Sequence, residues 1–117
     1  MHDPQGAAPD LNEYIYVLRV TRPGMLTEGP TAEEAAVVGR HFNFLSRLTE
    51  QGVVLMAGRT LTNDERTRGY VVLRAVDEAA ARTIMEHDPA VAEGVMTAEL
   101  FPFKVALWHS GFAVPGD

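Results

Sequence analysis

The order strand, helix, strand, strand, helix, strand predicts an α+β domain of the ferredoxin-like β-α-β-β-α-β plan, a four-stranded antiparallel sheet with both helices on one face. Three observations carry most of that order in this 117-residue chain. A β-branched and aromatic run, Tyr14-Ile-Tyr-Val-Leu-Arg-Val20, reads as a strand buried on at least one face. Thr31 followed by Glu34 forms a capping box that starts a long helix. Asp88-Pro89 stops a second helix, because proline lacks an N–H and biases the residue before it away from helical geometry.

The elements follow in order. Residues 1–12 are rich in Pro, Gly, Asp and Ala without periodicity and read as a flexible tail; 13–108 read as the folded domain and 109–117 as a C-terminal tail. After the first strand, Thr21 to Pro30 holds two prolines and two glycines and is expected to be a loop, placed to act as a lid. The first long helix is predicted to run to Gln51 and stop at Gly52, which suits a left-handed position. In it, Val38, Phe42, Leu45 and Leu48 follow core spacing, with Val37, His41 and Phe44 displaced by about 100° to one side. Val53 to Ala57 and Arg68 to Arg74 read as an antiparallel hairpin with a long polar connection. Asp77 caps a helix over Glu78 to His87 that turns Ala80, Ala81, Ile84 and Met85 inward. A turn from Ala90 to Gly94 leads to a final strand over Val95 to Trp108, where Pro102 implies a bulge or an edge position.

Composition bounds the function. With 46% hydrophobic and 22% charged residues the chain is of the soluble globular type, and one domain of this size leaves little stability margin. No stretch approaches the roughly 20 apolar residues of a membrane span, and the start lacks a secretory pattern, so a cytoplasmic location is expected. No cysteine is present, which excludes disulfides, thiolate chemistry and Cys-based zinc sites. A net charge of −6 without a basic stripe argues against a nucleic-acid partner. The plan covers only one sheet face, and strands as apolar as Val53–Met56 and Val71–Leu73 predict a homodimer built on the other.

His41 and Asp88 are the strongest candidates for chemistry. A carboxylate that accepts from one imidazole nitrogen fixes the tautomer and raises the basicity of the other, which makes a general base or acid. The plainer alternative is a helix histidine bonded to a backbone carbonyl and a turn aspartate before proline. Arg59, just after Gly58, offers a planar fork to a substrate carboxylate or phenolate, or is a solvated strand-end charge. Phe42 and Tyr16, with Tyr14 and Trp108, could line an aromatic pocket or belong to the core or a dimer contact. Ser46 lies five positions after His41 on another helix face, which argues against a Ser-His-Asp nucleophile. His87 competes with His41 but has an ordinary place in a helix's last turn. His2 and His109 fall in terminal segments, and no spacing supports a metal site or calls for a cofactor.

The stretch from Arg40 to Gly58, with Gly69-Tyr-Val-Val-Leu73, Asp77-Glu-Ala-Ala-Ala-Arg82 and Asp88-Pro-Ala-Val-Ala-Glu-Gly94, resembles the YciI-like family of YCII-related domains over Tyr14 to Leu107. The resemblance implies a dimeric α+β barrel of ferredoxin-like units and an active-site His–Asp pair at His41 and Asp88. It also implies, where activity is known, dehydrochlorination of a hydroxylated aromatic. Asn43 and Val91 stand where relatives often carry more hydrophobic or aromatic residues, which bears on pocket shape. The leading expectation is a small cofactor-independent lyase or isomerase that moves a proton on a small cyclic or aromatic substrate. The alternatives are a non-catalytic ligand-binding, accessory or sensor dimer, and a cofactor-independent monooxygenase on the same barrel.

Overall fold

The computed structural model describes residues 10–109. The elements are β1 (Asn12–Val20), α1 (Gly24–Thr27), α2 (Ala32–Glu50), β2 (Val54–Arg59), β3 (Gly69–Ala75), α3 (Glu78–His87), α4 (Pro89–Ala92) and β4 (Met96–Phe103). The sheet order is β2-β3-β1-β4, with every neighbouring pair antiparallel. This is the ferredoxin-like arrangement that the element order predicts. Of the tails expected at 1–12 and 109–117, residues 1–9 and 110–117 lie outside the described residues, and β1 already begins at Asn12, the last residue of the expected N-terminal tail.

Alternation along β1 sets the layers. Tyr14, Tyr16 and Leu18 are buried, opposite Leu73, Val71 and Gly69 of β3, and pack with Leu45 of α2 and Ala81 and Met85 of α3. Each fully buried Val or Leu in this layer contributes about 1.5–3 kcal/mol from burial. Ile15 and Val17 point to the other face, where they meet Val72, Tyr70, Phe101 and Glu99 in register. That face carries partly exposed apolar rings: Phe101 is 41% and Phe103 42% exposed.

Helix ends are set locally. Thr31 Oγ1 accepts from Glu34 N at 3.1 Å while Glu34 Oε1 accepts from Thr31 N at 2.8 Å, completing the capping box. Asp77 caps α3 through Ala80 N at 2.9 Å, and Gly52, at φ 77°, takes the left-handed position after α2. The phase of α2 differs from the sequence expectation. Val37 and Leu45 are buried, and His41, Phe44 and Leu48 lie half-buried between and beyond them, whereas Phe42 is 69% exposed. The core stripe thus runs 37, 41, 44/45, 48, turned by about one residue, or 100°, and it carries His41 with it.

Three other expectations are corrected. The 21–30 segment is not all loop: it contains α1 and is tied down. Arg22 donates Nε and Nη2 to the two carboxylate oxygens of Glu34 at 2.9 and 2.7 Å, and Thr21 donates its N–H to Val95 O and its hydroxyl to Gly94 O. The hydrogen bond from Arg22, with the Thr31 N–H next, holds the Glu34 carboxyl at about 2, well below its usual range. The turn expected over Ala90 to Gly94 is in part a short helix, α4, which starts one residue earlier because Pro89 at its first position has no N–H to leave unsatisfied. The last strand ends at Phe103 instead of continuing to Trp108, since Phe103 pairs with Glu13 and β1 begins one residue before it. Pro102, opposite Tyr14, is tolerated because β4 is an edge strand.

Candidate active site

The site is built on Asp88. Pro89 confines the residue before it to extended geometry, and Asp88 takes φ −60°, ψ 122° between α3 and α4. That turn directs the side chain back under α2, where it is 0% exposed. Its Oδ1 accepts from Ala90 N at 3.0 Å, which caps α4, and from the His41 ring at 2.7 Å. Its Oδ2 accepts from the Tyr16 hydroxyl at 2.8 Å. One carboxylate therefore joins the central strand β1, the long helix α2 and the α3–α4 junction. Among the described residues no buried side-chain nitrogen or oxygen lacks a hydrogen-bond partner.

The contact with His41 has one donor assignment. A carboxylate only accepts, so Nδ1 carries the proton and Nε2 of the neutral ring keeps its lone pair. The His41 side chain is 14% exposed, so the ring sits at the border of core and surface. A ring that is held, oriented and partly exposed can accept a proton at Nε2 and return it, with Asp88 stabilising the imidazolium in between. On the same rim Arg40 donates to Glu93 Oε2 at 2.6 Å, a second tie between α2 and α4, exposed and therefore weak.

Tyr16 stands elsewhere than a pocket wall. It is 0% exposed, in the middle of β1, with its hydroxyl on Asp88. Burial first, then the Asp88 charge, pushes its ionisation far above the usual tyrosine range, so it remains a donor. The clue in the sequence was the alternation Tyr14, Tyr16, Leu18, which puts Tyr16 in the core, where a buried hydroxyl must find a partner. Arg59 and His87 have hydrogen-bond partners other than the pair. Phe42 is exposed on α2, and Arg59 is exposed at the end of β2, donating to its neighbour's carbonyl, Thr60 O, at 3.3 Å. His87 is exposed and donates Nδ1–H to Thr83 O at 2.7 Å within its own helix. Ser46 is half-buried, and His2 lies outside the described residues. Among the described residues no group of three or more His, Cys, Asp or Glu side chains could hold a metal ion, and no helix is long and apolar enough to cross a membrane.

A ferredoxin-like sheet with a buried carboxylate orienting a histidine defines the class: a small α+β domain with one candidate proton-transfer centre. The chain belongs to the YCII-related domain family, whose model matches residues 14–104. Among solved structures it is similar to the 5-chloro-2-hydroxyhydroquinone dehydrochlorinase TftG from Burkholderia phenoliruptrix AC1100, in complex with 2,5-dihydroxybenzoquinone. The TM-score is 0.57 at 19% identity, covering 78% of this chain and 93% of that one. Comparison with the curated proteins gives no match.

Removing the Asp88 side chain strands three buried or half-buried donors, from Tyr16, His41 and Ala90. We expect Asp88→Ala to lower folding stability by about 3 kcal/mol or more, read from the denaturant midpoint. A loss below about 1 kcal/mol would mean that water or another acceptor replaces the carboxylate, and that the network does not hold these elements together.

Proposed function

We propose that the protein is a small-molecule enzyme of lyase or isomerase type, in which His41, oriented by Asp88, transfers a proton on a small hydroxylated cyclic or aromatic substrate. The observation that carries this reading is the 2.7 Å contact from His41 Nδ1 to a wholly buried carboxylate, at the edge of the fold rather than deep within it. Nε2 takes the proton of a ring hydroxyl, the electron pair moves into the ring, and the imidazolium delivers that proton to a ring carbon, giving the keto tautomer; where that carbon bears a leaving group, loss of a second hydroxyl proton to the freed Nε2 expels the group with its bonding pair and leaves a quinone. Family membership and a structural neighbour that is a dehydrochlorinase of a hydroxyhydroquinone support the substrate class. Phe42 and Arg59, both exposed, are the proposed contacts for the ring and its oxygen atoms.

The test is turnover of a panel of chlorinated and unchlorinated hydroxyhydroquinones by wild type and His41→Ala, with thermal melts of both. We expect wild-type turnover to fall about 100-fold or more in a variant that still melts as a folded protein. Binding without turnover by the wild type, or full activity of His41→Ala, would overturn the enzymatic reading and leave a ligand-binding module.

We propose further that two copies associate through the sheet face opposite the helices. Half-buried Ile15 and Val17 and exposed Phe101 form an apolar patch there beside the buried Val72, and a small domain gains core by covering it. Sedimentation equilibrium should give twice the 12.8 kDa chain mass for wild type and the single mass for Phe101→Glu. A wild type that is monomeric at micromolar concentration would contradict the dimer.

A further inference from the structure

The two oxygens of Asp88 are used unequally. Oδ1 takes the His41 Nδ1–H and the Ala90 N–H, while Oδ2 takes the Tyr16 hydroxyl alone. The carboxylate is 0% exposed, and among the described residues these three donors are the ones that balance its charge. Two of them, Ala90 N–H and Tyr16 O–H, are neutral and stay so; the third can become a cation. Whatever charge the neutral donors do not absorb is available to draw a proton onto the His41 ring.

We propose that Tyr16 is a positioning residue of this site, whose hydroxyl, by holding Asp88 Oδ2, shares the carboxylate's charge and limits how strongly Asp88 draws on the imidazole. The inference rests on the reading of His41 as the proton-transfer group and adds what sets its strength. Tyr16 acts through Asp88 and not on the substrate, because the residue is wholly buried in the central strand, opposite Val71 of β3 and Leu100 of β4. The arrangement also divides the geometry between two layers. Tyr16 references the carboxylate to the sheet, whereas His41 is referenced to α2, so the alignment of the pair follows the packing of that helix on the sheet. A hydroxyl that had merely found the nearest acceptor would hold the core together without influencing the ring.

The two roles separate by following the His41 ring titration by NMR in variants that weaken or strengthen the donor. In Tyr16→Phe the titration should move to higher pH by about half a unit, because Asp88 leans more on the imidazolium. Site-specific replacement of Tyr16 by a fluorotyrosine, a stronger donor of nearly the same shape, should move it to lower pH. Neither change should move it further in an Asp88→Asn background, since Tyr16 acts only through that carboxylate. The Arg40–Glu93 pair, the other charged groups joining α2 to α4, is untouched in every variant. Shifts in the same direction, or none in proteins whose melts show a native fold, would overturn the proposal; if Tyr16→Phe does not fold, the fluorotyrosine protein decides alone. Should Asp88→Asn itself leave the His41 titration unmoved, the proton-transfer reading fails. A response to Asp88→Asn with no response to either Tyr16 change defeats only the role of Tyr16.

Discussion

Burying a carboxylate without compensation costs several kcal/mol, and Asp88 is fully buried. The local architecture around it is what makes that burial tolerable. Pro89 forces the extended turn that sends the side chain inward, α4 supplies a backbone donor, β1 brings a tyrosine hydroxyl, and α2 brings an imidazole. None of these groups is close to all the others in sequence: Tyr16 and Asp88 are 72 residues apart, His41 and Asp88 47. The carboxylate is thus a registration point where sheet, long helix and helix junction must meet in one geometry, and a slip of α2 by one residue would take His41 off it.

That dependence also explains which features could be read from the sequence. Thr31 with Glu34, Gly52, Asp77 and the Asp-Pro stop act on their own neighbours, so the helix boundaries they set were visible in the chain. The strand order followed from the element order and the apolar runs. Features decided by distant contacts were not visible. The phase of α2 depends on what it packs against, and spacing alone favoured Phe42 where the fold buries Val37 and Leu45 on either side of His41. The end of β4 depends on where β1 begins. The proximity of His41 to Asp88 was suggested by residue types and by the family resemblance, whereas the third member, Tyr16, read only as an aromatic; its hydroxyl gains a role from the pairing of three layers.

In the function proposed, this network serves stability and chemistry through the same bonds. Replacing a buried polar cluster with apolar residues often leaves a fold as stable or more so, and the function proposed gives this one a role in what the carboxylate does to the imidazole. The neighbouring dehydrochlorinase shares the fold at 19% identity, and folds host many reactions, so the orientation of His41 supports the proposed chemistry more than the likeness does. Segment 21–30, pinned by Arg22 to Glu34 and by Thr21 to Gly94 and Val95, belongs to the frame around the first strand and helix and is held in place in this conformation.

The central claim is that Asp88 holds the neutral His41 ring with its proton on Nδ1 and its lone pair on Nε2. The most direct test is the ring tautomer of His41, read from the nitrogen-15 shifts of the two ring nitrogens at a pH where the imidazole is neutral. The account predicts Nδ1 protonated and Nε2 bare in the wild-type protein. A ring protonated on Nε2, or one exchanging freely between the two forms, would contradict it.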